Sequence, residues 1–402
     1  MNNNKGWITT IAGTGINLAL GVLYAWSVFK GTIKAELHIT EFQTSLPYAV
    51  ATALFAIMMV PAGRLQDRIG PRMVVMAGGI LTGLGLALSY FADSVTILMM
   101  TFGVLAGTGI GLGYSATTPA AVKWFSPEKK GTIIGIVVSG FGLASVYISP
   151  LAKSLLAAYG FRTSFLILGL VFLVLTTALS MFISNPPAGG VAKAGGKGKP
   201  ANRDYEWSEM VKTRQFYLLW MMFAAGATGG LMVIGHLAGY ALSIGIEGGF
   251  LLVALLAVFN AAGRVVAGSV SDKLGRVRTM LIVFLVHGAI LLTMPYLTTF
   301  FLLSVGTAVV GFCYGSYLAL FPSTTYDFFG TKNGGVNYGL VFTAWGVGGV
   351  FGAPLAGYIK DVTGSFNLAF QIAAGLLAVA VLLTFLTKAP TQPAAEPAQK
   401  VG

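Results

Sequence analysis

Of 402 residues, 55% are hydrophobic and 9% are charged, with a net charge of +12 and one cysteine, Cys313. Soluble domains carry about 25% charged residues, so a soluble enzyme is excluded, as are disorder, which needs low hydrophobicity, and a disulfide scaffold. What remains is a polytopic helical membrane protein: about 20 apolar residues cross a bilayer, and the length holds roughly a dozen such spans.

Met1 to Lys5 is a short tail. The apolar run behind it is too long for a signal-peptide core, so the first span is expected to stay uncleaved. Continuously apolar stretches mark spans at 6–29, 44–62, 73–92, 95–122, 131–155 and 162–184. Unbroken apolarity argues against a transmembrane barrel, whose strands alternate over about ten residues. Residues 185–214 interrupt the series with Pro186, Pro187, a Gly- and Lys-rich stretch from Lys193 to Lys199, and the acids Asp204, Glu206 and Glu209. This segment reads as a cytoplasmic linker, with a short surface helix expected over 204–213. Six more spans follow at 215–242, 248–268, 279–296, 298–322, 336–359 and 366–387, before a cytoplasmic tail at 388–402. The expected fold is all-α: twelve transmembrane helices in two six-helix bundles, 1–184 and 215–387.

With both termini cytoplasmic, nineteen of the 25 Lys and Arg residues fall on the inside, and five (Lys30, Lys34, Lys153, Arg162, Lys360) fall at outside ends. That bias follows the positive-inside rule. It explains the basic charge without nucleic acid and predicts a multi-pass protein of the plasma (inner) membrane.

The halves repeat a signature. The loop after span 2 reads Gly63-Arg64-Leu65-Gln66-Asp67-Arg68-Ile69-Gly70, and the loop after span 8 reads Gly268-Ser269-Val270-Ser271-Asp272-Lys273-Leu274-Gly275. Gly, Asp, a basic residue and Gly recur 205 positions apart. A second echo joins Pro119 and Trp124-Phe125 to Pro322 and Phe328-Phe329. Parallel repeats of this kind mark transporters. The charged loop residues Asp67, Arg68, Asp272 and Lys273, with Gly63 and Gly268, are expected to latch one conformation at the membrane surface, not to bind substrate.

Ionisable groups inside a bilayer are costly and are functional candidates by default. All thirteen acids fall at span ends or in loops. The intramembrane cation is Arg264, eight residues before Asp272 and so about 12 Å deeper along the helix. No acid lies one turn away in its own span. It either bonds backbone carbonyls and aromatics between the halves or waits unpaired for an anion, and the second reading is favoured: a guanidinium fork suits a carboxylate. Asn260, one turn earlier on the same face, is placed to orient it or to bond the substrate. His236 in span 7, expected near the central cavity, either carries a proton or bonds a helix carbonyl. His287 is expected to be structural and His38 solvated. Aromatic candidates for the cavity are Tyr24, Tyr114, Tyr147, Tyr314, Tyr317 and Trp345. Gly103/Gly107/Gly109/Gly111/Gly113 and Gly346/Gly348/Gly349/Gly352 permit close helix approach.

Gly-x-x-x-Asp-Arg-x-Gly at 63–70, its weaker copy, twelve spans and a central loop resemble the major facilitator superfamily. Within it, Leu23-Tyr24-Ala25-Trp26-Ser27, Asn260-x-x-x-Arg264, Leu320-Phe321-Pro322-Ser323, Phe328-Phe329-Gly330 and Asn337-Tyr338-Gly339 are similar to the oxalate–formate antiporter family and its bacterial lactate and pyruvate carriers. The resemblance implies transport of small carboxylates anchored by Arg264. Oxalate carriers of the family place a second cation, a lysine, in span 11, where this chain has Trp345. One cation implies a substrate with one carboxylate. Animal-type monocarboxylate carriers put an aspartate one turn before the arginine as a proton partner, where this chain has Asn260. The proton then falls to His236 or to the substrate carboxylate itself.

The expected function is secondary transport of a monocarboxylate such as lactate or pyruvate with a co-transported proton, by alternating access. Arg264 and Asn260 would bind the carboxylate; Leu23, Tyr24, Tyr114 and Leu143 would line one wall, and Tyr314, Phe342 and Trp345 the other. The alternatives are oxalate/formate exchange and, ranked lower, a membrane carboxylate sensor. No catalytic constellation, metal, cofactor or nucleic-acid partner is expected; the lipid bilayer is the surrounding medium, and a monomer is the default.

Overall fold

The computed structural model describes residues 3–126, 130–186, 204–330 and 333–390. The side chains of Asn3, Asp67, Lys130 and Gly131 also lie outside the description, so the Asp67 latch expectation, like the linker's 187–203, falls beyond it. Among the described residues eleven helices are long and apolar enough to cross a membrane. One of them, Lys130–Ser180, is two spans joined end to end, because Gly160 takes φ 70° and ψ 179° in its middle. The break is stabilised from another element: the Glu36 carboxylate, at the end of span 1, accepts the Phe161 N–H at 3.0 Å. An anion at a helix N-terminus is favoured by the helix dipole, so span 6 restarts there.

The twelve spans are therefore Asn4–Leu37, Glu41–Gln66, Pro71–Phe91, Val95–Val122, 130–159, 161–180, Arg214–Ser243, Gly249–Leu274, Arg276–Tyr296, Phe300–Phe329, Gly334–Thr363 and Asn367–Leu386. They match the expected positions, and the architecture is the expected all-α one of twelve helices in two six-helix bundles. Several run longer than expected. Span 1 continues to Leu37, carrying Lys30 and Lys34 into the helix, and span 10 passes through Pro322 to Phe329. In the linker a single turn, Trp207–Met210, forms the surface helix. Twelve alternating spans bring both described ends to one face, called here the terminal face; the opposite one is the far face.

The two repeated loops end their helices in the same backbone conformation. Gly70 (φ 84°) and Gly275 (φ 90°) end spans 2 and 8 at equivalent positions, a conformation other residues rarely adopt. Behind Gly275, Arg276 ties the loop together: it pairs with Asp272 at 2.7 Å and with Asp327 of span 10 at 2.9 Å. Lys273 is exposed. The glycine runs serve several neighbours at once. In span 4, Gly107 and Gly111 lie on span 2, Gly109 on span 3 and Gly113 on Leu20 of span 1. In span 11, Gly348 and Gly352 lie on span 7 of their own bundle, whereas Gly346 and Gly349 lie on Ala56 and Thr52 of the other half.

Candidate functional site

Span 1 is not a uniform helix. Gly21–Ala25 tightens to a 3-10 segment, and Gly21 lies directly on the Phe141 carbonyl and on Ala144 of span 5. A 3-10 stretch in mid-helix often marks a functional position. It turns Tyr24 across the interface: its hydroxyl lies 2.8 Å from that of Tyr314 in span 10, which also accepts the Trp345 indole N–H at 2.6 Å. Spans 1, 10 and 11 are thus joined through one hydroxyl pair.

Around them stands an aromatic cage. Phe55 of span 2 meets Tyr114, Phe141, Phe342 and Trp345, with ring centroids 5.0–5.6 Å apart. Phe141 also meets Tyr24 and Tyr114 edge-on, and Phe342 stacks on Trp345. Edge-to-face and offset pairs of this kind add about 0.5–1.5 kcal/mol each beyond burial.

Arg264 enters the cage from span 8 and reaches across to the other half. Its Nη1 donates to the Val138 carbonyl of span 5 at 3.1 Å, and its Nε donates to Asn260 Oδ1 at 2.9 Å. The Tyr24 and Tyr114 hydroxyls face it and interact with its charge. It is 8% exposed. Among the described residues no carboxylate pairs with it. Accepting the arginine through Oδ1 leaves Asn260 Nδ2, fully buried, without a partner. A buried unpaired donor costs about 1–3 kcal/mol. Of the two expectations for Arg264, the contact with a backbone carbonyl of the other half is seen at Val138.

The structure brings together Arg264, Asn260, Tyr24, Tyr114, Tyr314, Phe342 and Trp345. Leu23 is fully buried next to Tyr24. Leu143 is half-buried, and its neighbour Gly142 is the residue facing the pair: a Cβ there would lie 3.3 Å from Asn260 Oδ1 and 3.5 Å from the guanidinium carbon. Two aromatic candidates lie elsewhere. Tyr317 bonds His287 at 3.0 Å inside the second bundle, and Tyr147 bonds the Leu18 carbonyl at 3.0 Å beside an apolar crevice of spans 1, 5 and 6. Phe55, Phe141 and Gly142 were missed by sequence reasoning; nothing in an apolar run distinguishes a cage phenylalanine from a core one.

His236 is not beside Arg264. It sits toward the far face, where Lys30 Nζ lies 2.8 Å from its Nδ1 and its Nε2 is 2.8 Å from the Ala353 carbonyl. A carbonyl only accepts, so Nε2 carries the hydrogen and Nδ1 offers a lone pair to the ammonium. Ser45 Oγ is 3.3 Å from Nε2 and Glu41 Oε2 is 3.8 Å from Nδ1. Glu41 in turn holds Lys30 at 3.1 Å and Lys34 at 2.9 Å. Asp361 of span 11 accepts the N–H groups of Glu41 and Phe42 at 3.0 and 2.8 Å, capping span 2 from the opposite half. These contacts join the halves at the far face. Glu41, Ser45, Tyr48, Thr52 and Phe55 follow one another along one face of span 2, from the far face to the cage.

The Major Facilitator Superfamily pattern matches residues 8–263 and 241–401. The uncharacterized MFS-type transporter YhjX of Escherichia coli (strain K12) is 31% identical over 350 residues, covering 86% of each chain. The oxalate:formate antiporter of Oxalobacter formigenes is 30% identical, over 92% of this chain and 88% of its own. Monocarboxylate transporter 13 of Bos taurus is 28% identical, over 96% and 91%. A crystal structure of a bacterial homolog to the human lysosomal transporter Spinster, inward-facing and unoccupied, superposes with a TM-score of 0.71 at 16% identity, over 96% of both chains; at that identity the likeness concerns the fold. Twelve apolar spans, two repeated halves and matches over nearly the whole length agree, and the chain belongs to the major facilitator superfamily, a family of multi-pass membrane transporters.

Proposed function

We propose that this chain is a secondary carrier for small monocarboxylates of the lactate and pyruvate type, moving them with a proton by alternating access. The observation that carries the reading is the pair at the centre: a buried guanidinium with no carboxylate partner among the described residues, beside an orphan amide donor on Asn260. A carboxylate satisfies both, because its two oxygens accept from the arginine fork and the amide together. The apolar walls, Phe55, Phe141, Phe342 and Trp345, suit a methyl or other short hydrocarbon group.

One carboxylate is favoured over two. Trp345 stands where the oxalate carriers' second cation is expected, and its N–H is engaged by Tyr314. Lys30 is buried as well but already holds Glu41. The Lys and Arg distribution supports cytoplasmic termini, which makes the far face the outer one and the Lys30–His236 and Asp361 contacts an outer closure.

The contacts of His236 support a proton-coupled reading. Closure uses a neutral imidazole whose Nδ1 accepts from Lys30. A protonated ring would turn an N–H toward an ammonium, so protonation of His236 opposes this closure and its loss permits it. Lactate and a proton together carry no net charge.

The test is uptake of radiolabelled L-lactate into proteoliposomes with and without an inward proton gradient. Gradient-stimulated uptake that pyruvate inhibits supports the reading. No uptake, with exchange against preloaded oxalate or formate, overturns it in favour of an antiporter. Ligand binding without accumulation would instead indicate a sensor.

A further inference from the structure

Between the halves at the far face, beside the Lys30–His236 contact, lies a cavity of about 300 Å³. This is at the lower end of the size range for small-ligand pockets. Its charged lining is three lysines, Lys30, Lys34 and Lys360, against one glutamate, Glu41. Clefts lined by one sign of charge focus the field and concentrate counter-ions.

The geometry already holds a carboxylate. The two oxygens of Glu41 are taken by Lys34 at 2.9 Å and Lys30 at 3.1 Å. On the other wall, Lys360 lies 5.3 Å over the Phe366 ring and donates to the Gly364 carbonyl at 2.7 Å. It has no carboxylate of its own among the described residues. The space between is open: a Cβ on Gly31 or on Gly239 would meet nothing within 4 Å. Leu242 and Phe366 give the cavity an apolar side. Excess positive charge, room and an apolar wall are what a short-chain carboxylate requires.

We propose that this cavity is a second binding site for small carboxylates, separate from Arg264, in which the ligand bridges Lys34 of the first half and Lys360 of the second. The proposal rests on the carboxylate reading above. A ligand in that position places its carboxylate between ammonium groups that belong to opposite halves. It therefore favours the state in which the halves are closed at this face.

The experiment is equilibrium binding of radiolabelled pyruvate to the full chain in phosphatidylcholine nanodiscs. The unaltered chain is expected to bind at two sites, and Arg264→Ala to keep one. Gly239→Leu, which fills the cavity without changing a charge, is expected to remove the other and to leave the Arg264-dependent site intact. Lys360→Gln is expected to weaken the second site at least five-fold. Binding that disappears entirely with Arg264→Ala, or that Gly239→Leu and Lys360→Gln leave unchanged, overturns this proposal alone. An unaltered chain that binds no pyruvate overturns the carboxylate reading with it. Displacement of the second equivalent by phosphatidylglycerol added to the nanodiscs, at lipid levels that leave the first untouched, would assign the cavity to a lipid headgroup and overturn the proposal.

Discussion

The hydroxyls of Tyr24 and Tyr314 lie 2.8 Å apart, one from each half of the molecule. Tyr314 also accepts from Trp345, so when Tyr314 donates to Tyr24, the Tyr24 proton is left for a ligand in the cage. Tyr24→Phe removes both that donor and the bond between halves. A neutral hydrogen bond contributes about 0.5–1.5 kcal/mol, so the lactate KM is expected to rise about 2- to 12-fold while the protein still reaches the membrane. Proteoliposome kinetics measure it, and an unchanged KM would remove Tyr24 from the binding site.

Arg264→Lys keeps the charge and loses the fork. The bonds to Asn260 Oδ1 and to the Val138 carbonyl cannot both be remade by an ammonium on a shorter reach. Hydrogen bonds to charged groups are worth about 1.5–3 kcal/mol, so transport is expected to fall at least about ten-fold at normal membrane abundance. Near-normal lactate uptake by this variant would sink the assignment of Arg264 as carboxylate anchor.

Asn260→Asp tests the same pair from the other side. The new carboxylate would sit 2.9 Å from Arg264 Nε and compete with the substrate for it. Protonation of the aspartate frees the arginine, so uptake by the variant is expected to be strongest at acid pH and to decline as pH rises and the side chain ionises. A pH profile parallel to that of the unaltered chain would show that Asn260 and the substrate do not share Arg264.

Gly315 lies against the backbone carbonyl of Asn260, and a Cβ there would overlap it. Spans 8 and 10 meet at this point with no room to give. Gly315→Ala must push span 10 away from the residue that orients Arg264; overpacking of this kind costs about 1–3 kcal/mol. The expected result is a lower thermal unfolding midpoint for the solubilised protein, together with reduced transport. An unchanged midpoint would mean that the two helices slide freely.

How much of this is legible in the sequence depends on what each residue needs from distant parts of the chain. The spans are read directly from apolar length, and Arg264 stands out because it is one cation deep in an apolar run. Asn260 follows from one helical turn, and Tyr24, Tyr314 and Trp345 from being aromatics with a polar tip. Phe55 and Phe141 carry no such mark. Lys30 looks like the end of a span until the helix is seen to continue to Leu37 and Glu41 to return beside it. The depth of His236 is hidden for the same reason: its partners, Lys30 and Ala353, are 206 and 117 residues away.

His236→Gln separates the closure at the far face from its titration. The glutamine amide can donate to the Ala353 carbonyl and its oxygen can accept from Lys30, as the neutral imidazole does at 2.8 Å to each. It cannot take up a proton near neutral pH, where an ordinary histidine does. The variant should therefore keep the closed contacts and the ability to exchange lactate for lactate, while losing stimulation by an inward proton gradient. Lactate counterflow and gradient-driven uptake, measured on the same proteoliposomes, distinguish the two. If gradient stimulation survives at the level of the unaltered chain, the proton travels with the substrate carboxylate, and His236 is only a hydrogen-bonding member of the closure.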